Sequence, residues 1–374
     1  VQRSVVDPDR ALIAIDGEAI VASAVSAAFQ LTVPGGDFVP CSGITSVVTL
    51  PTHRRRGIGR ALMERQLGDV HERGDPVAYL WASEAAIYQR YGYGAGAMTG
   101  TFKIRRENTG FLRQIDTPGR IRLVQKDEAL KVVGDVYERI RPTRPGMTDR
   151  SGPWPEYRFH HDAHHREKDM SDPFFAIYET SDGAQGTVSY TIKDTWNDQG
   201  PNQELVIDEL LWASGDAYAA LWRYCLEVDL VRTVTGWKRP VDEPLLNMLL
   251  EPRALRFQIR DGTWLRLVDV ARALEARRYS HEGSLVLEIR DEFAQWNDGT
   301  YELSGGPDGA ACQQSGAAPD LSMRVEDLAA AYLGAVPFRS LAAAGRVTEN
   351  KQGALKTADE MFSSAVAPWC PWIF

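Results

Sequence analysis

The sequence predicts a chain of mixed α/β (α+β) domains, and three observations carry that reading. At 374 residues the chain is long enough for two or three domains, each with a real core. The β-branched strand Val47-Val48-Thr49 runs through a loop dense in Arg and Gly into an amphipathic helix, and a second strand and helix follow it. An order of two hairpin strands, a third strand and a helix stands near the front of the chain and returns over residues 174–230.

Bulk properties narrow the function. Hydrophobic content of 44% and charged content of 25% are ordinary for a soluble globular protein. No apolar run reaches membrane-spanning length, and no signal-peptide stretch opens the chain, so a cytoplasmic protein without membrane partners is expected. The net charge of −9 argues against nucleic acid and suits a polycationic substrate. Cys41, Cys225, Cys312 and Cys370 are scattered without zinc or redox spacing, and are expected to be small buried residues in a reducing compartment.

Taken in order, the first strand reads Arg10 to Ile15. Asp16-Gly17 turns it into a longer strand, Ile20 to Leu31. The next signal is Pro51-Thr52-His53-Arg54-Arg55-Arg56-Gly57-Ile58-Gly59-Arg60, which opens a helix from Gly57 to Arg73 with Ile58, Leu62, Met63, Leu67 and Val70 on one face. Backbone N–H groups at a helix start lack intrahelical partners and carry partial positive charge. Gly57 and Gly59 let that backbone approach an anion, and Arg55, Arg56 and Arg60 add charge-assisted hydrogen bonds. The loop therefore reads as a phosphate cradle. It lacks the Gly-Lys-Ser/Thr of a Walker loop and the third glycine of a dinucleotide fingerprint; the remaining alternative is a solvated basic helix start.

Strand Val77 to Trp81 and a helix from Ser83 to Arg90 come next, then Tyr91-Gly92-Tyr93-Gly94. The alternating stretch Thr101 to Arg106 reads as an edge strand closing a first domain over residues 1–116. In a second domain, 117–261, strands Phe174 to Tyr178, Gly186 to Ile192 and Leu205 to Trp212 precede a helix from Asp216 to Leu230. Its strand-to-helix loop, Ala213 to Ala217, has no Arg cluster. A third domain, 262–374, carries a helix from Asp269 to Arg277, strands Ser284 to Ile289 and Thr300 to Leu303, and helices from Val325 to Leu333 and near Leu355 to Phe362. The tail Trp369-Cys370-Pro371-Trp372-Ile373-Phe374 is too apolar to stay solvated, and burying it draws in the terminal carboxylate, which is costly unless that group is paired or used. His160-His161-Asp162-Ala163-His164-His165 offers helical spacings for a metal, but its charged flanks read as a solvated segment, and no metal is expected.

The spacing Arg54-x-x-Gly57-x-Gly59, followed by strand, helix and Tyr88 ahead of an aromatic-Gly turn, resembles the GNAT superfamily of N-acetyltransferases. Leu31 to Gly35, Pro51 to Gly57 and Ala82 to Tyr88 further resemble the enhanced intracellular survival (Eis) family of aminoglycoside acetyltransferases. That likeness continues through Leu221-Trp222-Arg223, Trp264-Leu265-Arg266, Ala273 to Arg277 and the C-terminal aromatic residue. Gly57-Ile58-Gly59 departs from the family's Gly-Leu-Leu toward the superfamily pattern. The resemblance implies two acetyltransferase-like domains in tandem, the second without a cofactor loop, and a C-terminal sterol-carrier-protein-like domain. It implies acetyl-CoA as co-substrate, held by the backbone of Val47, Val48 and Thr49, by the loop Arg55-Arg56-Gly57-Ile58-Gly59-Arg60, and by Ser83 and Glu84. Tyr88 would be the general acid and the Phe374 carboxylate the general base. A tyrosine hydroxyl, with an ordinary pKa of about 10, stays protonated where a thiol of about 8.5 does not. A terminal carboxyl near 3.5 is a weak base and needs desolvation or a bridging water. The family also implies a homohexamer acting on small polycationic amines. Protein lysines, polyamines or a non-catalytic CoA- or lipid-binding role are the alternatives. The superfamily's opening strand and two helices, which supply part of the acceptor pocket, are expected to be missing ahead of the first hairpin.

Overall fold

The computed structural model describes residues 5–150, 152, 154, 169–198 and 200–374. The chain divides into two compact units. Residues 1–98, 144–153 and 261–374 form one, and residues 99–143 and 154–260 form the other.

The first unit opens with β1 (Ala11–Asp16), which turns through Gly17 at φ +62° into β2 (Ala19–Thr32), and β2 pairs antiparallel with β3 (Phe38–Thr49). Helix α1 (Ile58–Arg73) crosses over to β4 (Val77–Trp81), which lies parallel to β3. The expected stripe of α1 is inward, with Leu62, Met63, Leu67 and Val70 buried, and Gly74 in the left-handed conformation ends the helix. A five-residue helix α2 (Ala85–Gln89) and the short strand β5 (Gly94–Ala95) follow.

The second unit runs β6 (Met98–Arg105), β7 (Arg120–Val124), α3 (Lys126–Ile140), β8 (Phe174–Thr180), β9 (Gly183–Lys193), β10 (Gln203–Trp212), α4 (Gly215–Glu227), β11 (Val231–Arg239) and β12 (Gln258–Asp261). Its strands form a seven-stranded sheet in the order β12-β6-β11-β10-β9-β8-β7. The strand–helix order β10–α4 repeats β3–α1 of the first unit, as the sequence order predicts, and β11, parallel to β10, takes the place that β4 holds beside β3. Ser214 caps α4 by accepting from the Ala217 N–H. Trp222 on α4 is fully buried against Phe102 of β6.

The chain then returns to the first unit. Strand β13 (Thr263–Leu267) stands between β4 and β5, antiparallel to both, so the first sheet runs β1-β2-β3-β4-β13-β5. Beyond it lie α5 (Val270–Glu275), β14 (Gly283–Arg290), β15 (Gly299–Gly306), β16 (Gly309–Gln314), β17 (Leu321–Arg324), α6 (Val325–Tyr332), α7 (Phe338–Ala343), β18 (Val347–Glu349) and α8 (Ala354–Phe362). Their strands make a five-stranded sheet, β16-β15-β14-β17-β18.

Three placements differ from the sequence reading. The strand expected to close the first domain, β6, is an interior strand of the second sheet, between β12 and β11. Its alternation, with Phe102 and Ile104 inward and Lys103 and Arg105 outward, reports a half-exposed face and says nothing about edge position. Conversely, residues 263–267, given by sequence to the third domain, pair as a strand within the first sheet, and residues 144–153, given to the second, cluster with the unit that holds that sheet. Both differences come from strand pairing between segments distant in sequence, which periodicity does not encode.

Candidate active site

The site is a fork between two parallel strands. β3 and β4 pair at Cys41–Val77, Ser42–Ala78 and Gly43–Tyr79, and pairing then stops while β3 continues to Thr49 and β4 to Trp81. A bulge bends β3 past this point: Ser46 takes φ +53°, and the register with β2 shifts between Ser23 and Val25. The Ser23 hydroxyl donates to the Ser46 carbonyl at 3.0 Å and holds the bulge. Val47 turns its side chain into the core, Val48 is exposed, and Thr49 is half-buried. The sequence reading missed the bulge, because serine at positive φ carries no pattern signal.

The Arg-Gly loop leads from the end of β3 into α1. Arg55 at φ +61° and Gly57 at φ +82° are both left-handed, and the Gly57 carbonyl accepts from the Ala61 N–H at 3.0 Å. A Cβ on Gly57 would meet nothing within 4 Å, so this position needs glycine for its backbone conformation and not for room. No side chain caps the helix start, which leaves its N–H groups open. Arg54, Arg55, Arg56 and Gly57 are exposed, and Ile58 and Gly59 are half-buried beneath them. Asp16 tethers the loop: it meets His53 Nε2 at 3.1 Å and Arg56 at 3.6 Å, while the Thr52 hydroxyl meets His53 Nδ1 at 2.8 Å. Arg60 donates to Glu64 at 2.7 Å and sits 5.5 Å from the Phe293 ring centre. Arg54 and Arg55 form no ion pair among the described residues.

Ser83 and Glu84 are exposed at the start of α2, and Tyr88 is buried one turn on. Tyr88 packs with Ile44, Leu80, Tyr93 and Trp264, and its ring meets Tyr93 edge-on at 5.8 Å between centres. Burial first, and nearby Tyr91 second, push its hydroxyl pKa above the ordinary tyrosine value.

The tail folds back as its composition predicted. Trp369, Cys370, Trp372 and Phe374 are buried and Ile373 is exposed. The segment 144–150, which sequence reading placed elsewhere, receives it. The Trp369 N–H donates to Pro145 O at 2.8 Å, Trp372 Nε1 donates to Thr148 Oγ1 at 3.1 Å, and the Arg150 guanidinium lies 5.3 Å from the Trp372 ring. Trp81 at the end of β4 donates to the Trp372 carbonyl at 2.9 Å. The Phe374 ring packs against Phe29 at 4.9 Å, Trp372 at 5.5 Å and Tyr79 at 6.2 Å, and a Cβ on Gly43 would lie 3.1 Å from it. Phe374 is thus seated at Gly43 and Tyr79, the last pair before the fork.

Strand alternation places the two candidate groups. Gly43 and Tyr79 face Phe374, whereas their neighbours Ile44 and Leu80 pack with Tyr88. Successive side chains point to opposite faces, so Tyr88 and Phe374 reach the fork from opposite sides of the sheet.

The remaining candidates add no site. The four cysteines are buried and form no disulfide among the described residues, with the thiols of Cys41, Cys225 and Cys312 pushed up by burial. The histidines at 160, 161, 164 and 165 lie outside the described residues, and among the described residues no cluster suits a metal ion. No helix among the described residues is long and apolar enough to cross a membrane.

Comparison with known proteins agrees with this geometry. The acetyltransferase (GNAT) domain family matches residues 1–96, a second acetyltransferase (GNAT) domain family matches 146–267, and the sterol carrier protein domain family matches 270–371. N-acetyltransferase Eis of Mycobacterium tuberculosis is 32% identical over 97% of this chain and 89% of its own length. The chain belongs to the Eis family of GNAT acetyltransferases. A Streptomyces avermitilis relative named an uncharacterized N-acetyltransferase is 40% identical over 97% of this chain and 89% of that protein. The crystal structure of Eis1 from Mycobacterium abscessus superposes with a TM-score of 0.87 at 35% identity, covering 99% of this chain and 92% of that one. This Eis-family chain is therefore an N-acetyltransferase, and GNAT domains use acetyl-CoA as acetyl donor.

Proposed function

We propose that this Eis-family enzyme acetylates amines of aminoglycosides or similar polycationic substrates by direct transfer, with Tyr88 as general acid and the C-terminal carboxylate of Phe374 as general base. The observation that carries the reading is the fork with Tyr88 on one face and Phe374 on the other. Along Val47 to Thr49 the edge of β3 that β4 leaves open offers backbone groups to the pantetheine arm as an added strand would. The left-handed loop and open helix start at Arg55 to Arg60 suit the pyrophosphate, with Ser83 and Glu84 at the far lip of the fork.

In this reading the thioester lies in the fork. The Phe374 carboxylate, directly or through one water, takes a proton from the substrate ammonium. The free amine attacks the thioester carbonyl, the C–S bond breaks, and the departing thiolate takes the Tyr88 proton. Before the C–S bond breaks, the tetrahedral intermediate gives its second amine proton to the carboxylate, which has already passed the first to solvent. The Tyr88 phenolate left after transfer takes a proton back from solvent, so one proton is released per turnover. Burial raises the Tyr88 pKa, which favours the protonated hydroxyl that this step needs. A net charge of −9 favours encounter with a polycation. The reading also includes a homohexamer working in the cytoplasm, without metal, nucleic acid or membrane partners.

The test is thiol release from acetyl-CoA in the presence of an aminoglycoside, a polyamine or a lysine peptide, with the oligomer sized by light scattering. Turnover highest with the aminoglycoside supports the reading, and turnover confined to the lysine peptide overturns the substrate class.

A further inference from the structure

The turn that follows Tyr88 is built from both sides by residues far along the chain. β13 stands between β4, which leads into α2, and β5, which leads out of it. Its Arg266 side chain is wholly buried. The guanidinium donates to the Gly92 carbonyl at 3.5 Å and pairs with Asp291, itself 2% exposed. The Asp291 carboxylate also accepts from the Ala294 N–H at 2.9 Å, the Asn297 side-chain amide at 3.1 Å and the Phe293 N–H at 3.2 Å. A Cβ on Gly92 would come within 2.3 Å of the Arg266 Nη1 and 2.8 Å of Val325 on α6. One at Gly94 would fall 2.1 Å from the Glu326 carbonyl, so α6 closes the other side of the turn. Phe293 adds an edge contact to Tyr91 at 5.0 Å between ring centres.

Stability does not account for this arrangement. A buried ion pair recovers little of its desolvation cost, and apolar residues of similar volume often serve as well or better. The pair supplies direction instead: a planar guanidinium with one edge on Asp291 and the other on the carbonyl four residues after Tyr88. We propose that Arg266 and Asp291 are positioning residues for acetyl transfer. With α6 they clamp the Tyr91–Gly94 turn and thereby set the Tyr88 ring at the fork. Supplying Asp291 and α6 to that clamp is then a role of the sterol-carrier-like domain in this enzyme. The inference rests on Tyr88 being the general acid.

The experiment is a double-mutant cycle of Asp291→Asn with Tyr88→Phe in the full chain, reading kcat, KM for acetyl-CoA and melting temperature. Alone, Asp291→Asn is expected to lower kcat about tenfold while KM for acetyl-CoA holds within about twofold. In the Tyr88→Phe background it should cost nothing further, because the group it positions is gone. The same tenfold loss in both backgrounds overturns the clamp, as does a lowered melting temperature with wild-type kcat. If Asp291→Asn does not fold, Val325→Ala removes only methyl groups from the Gly92 contact. Its expected few-fold fall in kcat must likewise vanish with Tyr88→Phe, and persistence of that fall overturns the proposal. A Tyr88→Phe enzyme with wild-type kcat instead removes the acid assignment itself, which keeps the two failures apart.

Discussion

Tyr88→Phe removes one oxygen from a buried ring and leaves the ring's packing in place. The tyrosine is 8% exposed, it shares an apolar cluster with Ile44, Leu80 and Trp264, and the edge contact with Tyr93 is a ring contact. Melting temperature should therefore stay near the wild-type value. Kinetically, loss of a positioned general acid costs roughly 10²-fold in kcat, or about 2.7 kcal/mol of transition-state stabilisation. The loss should fall on kcat, because nothing in the Arg55–Arg60 loop changes and acetyl-CoA affinity by calorimetry should hold. A thioester with a more acidic thiol leaves without help, so the penalty should shrink toward unity with such a donor. In the wild type, burial raises the Tyr88 pKa, so the hydroxyl is the protonated form below the ordinary tyrosine value. The basic limb of kcat should lie above that value and vanish in the variant. Wild-type kcat, or a penalty independent of the leaving thiol, refutes the assignment and leaves Tyr88 as a packing residue.

Other expectations follow from the same geometry. Replacing Arg55 by Ala and Gly57 by Val should weaken acetyl-CoA binding by calorimetry at least tenfold with the fold retained, because Gly57 faces open space and only its left-handed backbone is strained, by roughly 1–2 kcal/mol. Unchanged affinity would remove the loop from the cofactor site. Gly43→Ala puts a methyl group 2.2 Å from Phe29 and 3.1 Å from Phe374, so the Phe29 ring must move and disturb the Phe374 ring packed on it; kcat should fall about tenfold, with roughly 1–3 kcal/mol lost in denaturant unfolding. Deleting Ile373 and Phe374 withdraws the terminus by roughly 7 Å and should abolish turnover, while acetyl-CoA binding measured by calorimetry persists.

How far the sequence foretells this structure depends on whether the signal is local. The Arg-Gly loop and the helix it opens are legible because the Arg and Gly cluster stands directly ahead of an amphipathic stripe, and both signals are local. The tail was legible because two Trp and a terminal Phe have no stable solvated form, although their receiving segment, 144–150, was not. The partner of Trp372 at Thr148 and that of Trp369 at Pro145 depend on a chain reversal that leaves no periodic trace. β13 shows the same limit. Thr263 to Leu267 is buried at every residue, yet the run Thr-Trp-Leu-Arg-Leu does not reveal that it slots between β4 and β5. Arg266 within that run was the missed clue, since a guanidinium in a fully buried strand requires a partner, and Asp291 supplies it.

The central claim is that the chain's own last carboxylate takes the substrate proton, and one added residue tests it. Extending the chain by a single glycine after Phe374 keeps the ring against Phe29, Tyr79 and Trp372 but moves the carboxylate by about 3.5 Å. The account predicts a protein with unchanged melting temperature and acetyl-CoA affinity, and turnover reduced at least a hundredfold. A glycine-extended enzyme with full turnover contradicts it, and the base must then be sought elsewhere around the fork.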